Sequence, residues 1–194
     1  MSKMKKAVLT IAIASTLGFS HIAAAGNQTV TLGYAQSKVQ DFKNINGVNV
    51  KYRYEWDQPI GIITSFSYMS GKETESYFKT RDIMSGKVEV KYYSLAVGPT
   101  YRMNDFISVY GLLGGAVGKV DSSLHWLNYT SSGYEDMGTY HEAETKSSVV
   151  YGVGLQINPM QNLAIDLAYE GSRLKYDGDN YSVNGFNVGV GYRF

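Results

Sequence analysis

Seven charged side chains, Lys51, Arg53, Glu55, Arg102, Asp166, Glu170 and Arg193, fall at positions that strand alternation would turn toward one interior. Carboxylates with basic neighbours can move protons or pass ions, so a catalytic or conducting interior has to be weighed. A second set is His125 and His141, near Asp121, Ser122, Ser123, Glu142 and Glu144. Serine, histidine and acid together could build an acyl-transferring site on lipid, and two histidines could begin a metal site. Each reading depends on what holds the residues. Nucleophilic catalysis needs a base oriented by an acid on a rigid support, whereas the stretch 121–145 has the Ser, Gly and Tyr content of a loop. The histidines lack the spacing of a metal motif, and the absence of cysteine removes thiol catalysis, thiolate metal sites and disulfides together. The expectation is no catalytic residue, no metal and no cofactor.

Alternation supplies the support for the charged set. Over residues 47–55, Val48, Val50, Tyr52 and Tyr54 face one way and Asn49, Lys51, Arg53 and Glu55 the other, the two-residue period of a strand with one apolar face. In the closing stretch 183–194, Phe186, Val188, Val190, Tyr192 and Phe194 alternate with Gly185, Asn187, Gly189, Gly191 and Arg193. The pattern recurs at about 28–37, 60–70, 87–101, 106–120, 146–157 and 163–172, which gives eight strands. Connections at about 38–46, 71–86, 121–145 and 173–182 are long and polar, and those at 56–59, 102–105 and 158–162 are tight turns. Long and short alternate without exception. Outer-membrane barrels have that asymmetry, with short turns on the periplasmic side, and a soluble sandwich has no reason to keep it. The predicted fold is all-β, an eight-stranded antiparallel up-and-down transmembrane β-barrel.

Such a barrel is only wide enough to be filled by its own side chains, so the seven interior charges read as a packed salt-bridge network and not as a pore. Glycine clusters such as residues 111–115 and 189–191 lie within strands with no helix following, which excludes phosphate loops and suits a crowded lumen. The 17 tyrosines suit aromatic girdles at the two membrane interfaces. At the N-terminus, Lys3, Lys5 and Lys6 precede an apolar run that ends at Ala23, Ala24 and Ala25, the pattern of a cleaved signal peptide over 1–25. Its three lysines carry the net charge from +1 to −2 for residues 26–194, without the basic surface that nucleic acid requires. The long connections display Lys72, Lys79 and Arg81 in one case and Trp126, Tyr129, Tyr134 and Tyr140 in another, a composition suited to protein recognition. A closed barrel has no edge that demands a partner, so a monomer is expected.

Gly47-Val-Asn-Val-Lys-Tyr-Arg-Tyr-Glu55, Val97-Gly-Pro-Thr-Tyr-Arg-Met-Asn-Asp105, Asp166-Leu-Ala-Tyr-Glu-Gly171 and Val188-Gly-Val-Gly-Tyr-Arg-Phe194 together resemble the Ail/Lom family of outer-membrane proteins, which includes OmpX and PagC, with phage-encoded Lom as the nearest in aspect. The resemblance implies an outer-membrane location among lipid and lipopolysaccharide. It also implies attachment to host cells or matrix, or survival in serum, through the external loops. An envelope-structural role like that of OmpX is the alternative, and a lipid-modifying enzyme is a distant third. Phe186, Tyr192 and the terminal Phe194 resemble the signal read by the barrel-assembly machinery.

Overall fold

In the computed structural model we describe residues 26–40, 43–56, 59–79, 82–131, 133–176 and 179–194. The expected signal segment, residues 1–25, lies outside them. Eight strands follow one another in chain order: β1 (Asn27–Val39), β2 (Asn44–Glu55), β3 (Ile60–Lys79), β4 (Asp82–Arg102), β5 (Ile107–Thr130), β6 (Gly133–Met160), β7 (Leu163–Tyr176) and β8 (Asp179–Arg193). Each pairs antiparallel with its neighbours, and β1 pairs with β8 to close the barrel. The seam begins where Gln28 and Phe194 exchange two backbone hydrogen bonds of 2.9 Å each, and it continues with Thr29 opposite Arg193 up to Val39 opposite Val183. Closure gives every strand a hydrogen-bonded neighbour on both sides within the ring, as a sheet in hydrocarbon requires.

Burial follows the expected parity. On β2, Asn49, Lys51, Arg53 and Glu55 are buried while Val48, Val50 and Tyr52 are exposed, and on β8 Asn187 is buried between exposed Phe186 and Val188. The outward apolar side chains form the lipid-facing belt. Aromatic pairs mark its two margins: Tyr54 with Trp56 and Tyr192 with Phe194 toward the tight turns, and Tyr68 with Tyr93 and Tyr169 with Phe186 nearer the long hairpins. The tight turns are locally encoded. Asn104 accepts the backbone N–H groups of Phe106 (2.9 Å) and Ile107 (2.8 Å), and the Asn158 amide donates to the Leu163 carbonyl.

The long connections differ from expectation. The stretches 71–86 and 121–145 are not irregular loops: β3 and β4 stay in register from Ile60–Tyr101 to Lys79–Asp82, and β5 and β6 stay paired, with one register step, from Ile107–Ile157 to Thr130–Gly133. The other two long connections are also shorter than predicted, since β1 reaches Val39, β2 starts at Asn44, β7 reaches Tyr176 and β8 starts at Asp179. Four strands therefore continue past the barrel as one sheet, because hydrogen-bonded pairing needs no hydrophobic belt once its register is fixed below. The sheet is interrupted at Trp126, where the register steps from His125–Thr139 to Leu127–Asp136 and Gly138 takes φ +94°, a left-handed conformation that suits glycine.

A second interruption lies within the barrel wall. Pairing of β4 with β5 lapses between Val97–Leu113 and Thr100–Tyr110, beside Pro99, which has no N–H to donate. Here a Cβ on Gly98 would collide with the Gly111 carbonyl oxygen, whereas one on Gly111 would meet nothing within 4 Å. Gly98→Ala should lower the unfolding free energy by about 1–3 kcal/mol. Gly111→Ala should stay within about 0.5 kcal/mol of the parent. Urea titration in lipid vesicles, read by the gel-mobility difference between folded and unfolded barrel, measures both. Equal effects at the two glycines would contradict the close approach.

Candidate functional site

Two regions collect the polar chemistry, the lumen and the projecting sheet. In the lumen, Lys51 on β2 donates from Nζ to Asp166 Oδ1 on β7 (2.7 Å) and to Asn49 Oδ1 (2.6 Å), and the Tyr110 hydroxyl bonds both Asp166 oxygens at 3.0 and 2.9 Å. Lys51 and Asp166 are each 1 % exposed at the side chain. Toward the tight turns, Glu55 is the anionic hub. Arg53 Nη2 donates to its Oε2 at 2.8 Å, Arg102 Nε lies 2.7 Å from its Oε1 without hydrogen-bond alignment, and Arg193 Nη2 lies at 3.6 Å. Arg102 and Arg193 sit at the rim and reach solvent, while Arg53 is buried.

Glu170 departs from the expected salt-bridge network. Its oxygens accept from the hydroxyls of Ser65 (3.1 Å), Ser67 (3.1 Å) and Ser94 (3.4 Å), and Asn49 Nδ2 donates to both Ser65 and Ser67. A carboxylate held by aligned hydroxyl donors can remain buried without a cation directly against it. Asn49, Ser65, Ser67, Ser94 and Tyr110 were not singled out from the sequence, although their inward parity carried the signal. Above this layer the lumen turns apolar, with Ile45, Met69, Val90, Tyr92 and Val183 all buried. The interior is thus a packed plug, polar toward the tight turns and apolar toward the long hairpins, and its hydrogen-bonded charged groups have their partners inside the lumen.

On the projecting sheet, Lys72 and Lys91 both hold Glu89, each at 3.1 Å, and Lys91 also lies 3.7 Å from Asp121. Hydrogen bonds from Lys72 first, then Lys91, hold the Glu89 carboxyl below its usual range, and Glu89 in turn raises Lys91. Lys79 ends β3, and Arg81 lies outside the described residues. Tyr129 and Tyr134 meet edge to face at 5.4 Å across the β5–β6 hairpin, Tyr140 projects into solvent opposite Leu124, and Trp126 sits half-buried at the bulge. The structure therefore gathers Tyr129 and Tyr134 at the hairpin tip, leaves Tyr140 lower on the same ladder, and puts Lys72 in a separate charged cluster. The histidines are apart as well. His125 Nε2 lies 3.0 Å from Asp136 Oδ1, while His141 stands opposite Ser123 and the Ser122 hydroxyl donates to the Glu142 carbonyl. His125 is thus engaged by Asp136 and Ser122 by a backbone carbonyl. The Gly138 N–H, and secondarily His125, hold the Asp136 carboxyl below its ordinary range. Among the described residues no group of three or more His, Asp or Glu could hold a metal ion.

A family model described as the enterobacterial Ail/Lom protein matches residues 1–194. The chain belongs to this family. The virulence membrane protein PagC of Salmonella typhimurium (strain LT2) is 42 % identical over 194 residues, covering 98 % of this chain and all of the relative. Outer membrane protein X of Escherichia coli K12 is 39 % identical over 195 residues with the same coverage, and the attachment invasion locus protein of Yersinia enterocolitica is 35 % identical over 198 residues, again with the same coverage. The crystal structure of Yersinia pestis Ail in complex with the heparin analogue sucrose octasulfate superposes with a TM-score of 0.68 at 37 % identity, covering 87 % of this chain and 99 % of that one. The backbone structure of Ail in a phospholipid bilayer nanodisc matches with a TM-score of 0.56. The protein is accordingly an outer-membrane β-barrel, a class in which short turns lie at the periplasmic face and longer connections outside.

Two outcomes follow from the charge arrangement. Glu55→Gln removes the one carboxylate that three guanidinium groups share and should cost about 3 kcal/mol or more of unfolding free energy, because buried charge is left uncompensated; urea titration in lipid checks it. On the sheet, Glu89 has a depressed folded value, so its contribution is present at neutral pH and is lost as pH falls through that value. Carbon-detected NMR should show Glu89 titrating below an ordinary glutamate, and Lys72→Ala should return it upward. An unchanged Glu89 in that variant would remove Lys72 as the principal cause.

Proposed function

We propose that the protein is a surface adhesin that uses the projecting β3–β6 sheet to contact host cells, extracellular-matrix components or serum proteins, with the barrel as its pedestal. The observation that carries this reading is that the sheet leaves the ring with two open edges. The β2–β3 pairing ends at Asn46–Ser70, and the β6–β7 pairing begins at Val150–Ser172. Beyond those points β3 and β6 each have a partner on one side only, and a strand edge of this kind can pair with an extended segment of another protein. Nearby aromatic side chains supply contact area, and the pre-ordered sheet spares the ordering cost that a flexible loop would incur.

Polyanionic glycan is the first ligand to test, because Yersinia pestis Ail was solved with a heparin analogue and this sheet bears Lys87 and Lys119 beside the ion-paired Lys72 and Lys91. The same reading includes export with cleavage after Ala25, assembly through a terminal signal containing Phe186, Tyr192 and Phe194, and a monomeric barrel in contact with lipopolysaccharide. An OmpX-like structural role without a receptor is the competing outcome.

The test shortens the sheet at ladder pairs. A tight turn replaces residues 74–87 between Glu73 and Val88, and another replaces residues 123–141 between Ser122 and Glu142. Cells displaying the parent should bind heparin, fibronectin or laminin saturably, and at matched surface levels the shortened barrels should fold and bind less or not at all. Undiminished binding by both would overturn the adhesin reading. Absence of saturable binding by the parent, with altered envelope integrity on deletion, would favour the structural role.

A further inference from the structure

The packing of the lumen stops short of the outer mouth. Inward-facing Val39 of β1, Val88 and Val90 of β4, Val120 of β5 and Leu174 of β7 line a cup of about 190 Å³. Its lining continues inward into the buried apolar cluster through Met69, Tyr92 and Val183. Gly118 in its wall leaves space that Leu174 occupies, since a Cβ there would lie 2.7 Å from Leu174 Cδ1. The rim is polar, formed by Gln40, Glu144, Lys146 and Tyr181, and Lys146 forms an ion pair with Glu144 so that the two charges compensate.

Walls of this composition select against charge. An ion entering the cup would lose its water without gaining a partner below the rim, whereas an apolar molecule would bury surface on several aliphatic side chains. The size sets a second limit. An apolar cavity of roughly 150 Å³ stays dry and accepts benzene, so this cup is large enough for one ring and excludes oligosaccharide or a folded segment. We propose that the outer mouth of the barrel is a binding site for a small uncharged apolar molecule, between benzene and indole in size, taken from the external medium. The site is separate from the open strand edges, so its occupancy does not depend on adhesion.

The experiment uses the folded barrel in phospholipid nanodiscs with carbon-13-labelled Val and Leu methyl groups, titrated with toluene and with indole. Saturable shifts are expected at the methyls of Val39, Val88, Val90, Val120 and Leu174. Lipid-facing Val48 and Val190 should change only linearly, by partition of the probe into the bilayer. Val88→Phe, which fills the cup from its wall, should abolish the saturable shifts while leaving the signals of Leu112 and Val150 in place. Val120→Phe is the second closing variant should the first fail to fold. Linear changes at cup and lipid-facing methyls alike, or saturable binding that survives both closing variants, would overturn the proposal.

Discussion

The controlling constraint is that no backbone hydrogen-bonding group can face hydrocarbon without a partner. Each such group would cost several kcal/mol. Pairing β1 with β8 removes the last open edge within the membrane, and the two reciprocal bonds between Gln28 and Phe194 fix the seam at the end of the chain. Register then follows along the whole ring. A slip of one residue would turn Lys51, Arg53 and Glu55 into lipid and draw Val48, Val50 and Tyr52 into the lumen, so the alternative registers are strongly disfavoured.

Closure with eight strands also determines what the interior can hold. With no room for a channel, charges inside must be neutralised by other side chains, and the burial penalty makes incomplete pairing costly. Lys51 with Asp166, and Glu55 with its arginines, meet this by opposite charge, whereas Glu170 meets it with serine hydroxyls. The apolar layer of Ile45, Met69 and Val183 sits between that network and the outer mouth, where it keeps external water from competing for the hydrogen bonds beneath. Polar and apolar packing thus support each other: one specifies which strands face across the lumen, the other keeps the medium around those contacts dry.

Within the membrane the fold was legible because lipid outside and a narrow lumen inside impose opposite preferences on successive residues. That is why strand parity, and with it the burial of Lys51, Arg53, Glu55, Asp166 and Glu170, follows the alternation, whereas Arg102 and Arg193 stand at the rim. Glu170 shows where the reading ended. Its position was evident, but three serines as its partners require knowing which strands lie across the lumen, and Ser65, Ser67 and Ser94 come from β3 and β4 while Glu170 is on β7. Outside the membrane the signal disappears for a physical reason. Along residues 134–143 of β6 water reaches both faces, every position is exposed, and selection for alternation lapses. A strand wetted on both sides has the composition of a loop, so 71–86 and 121–145 were read as loops. The Lys72–Glu89–Lys91 cluster was hidden with them, because it exists only if β3 and β4 remain in register.

This loss of signal also explains how the projecting sheet can be both ordered and variable in chemistry. Its register is inherited from the ring below, so its side chains need not specify it, and residues such as Tyr140 or Lys87 can change without moving the backbone. Its outer edges lack the requirement that closes the ring, since water can satisfy their N–H and C=O groups. Pairing on both sides holds up to Ser70 on β3 and from Val150 on β6, and lapses beyond. A barrel whose strands outrun the bilayer unequally therefore presents an open-edged sheet on a fixed base, and recognition can be added to that sheet without disturbing the interactions that fold it.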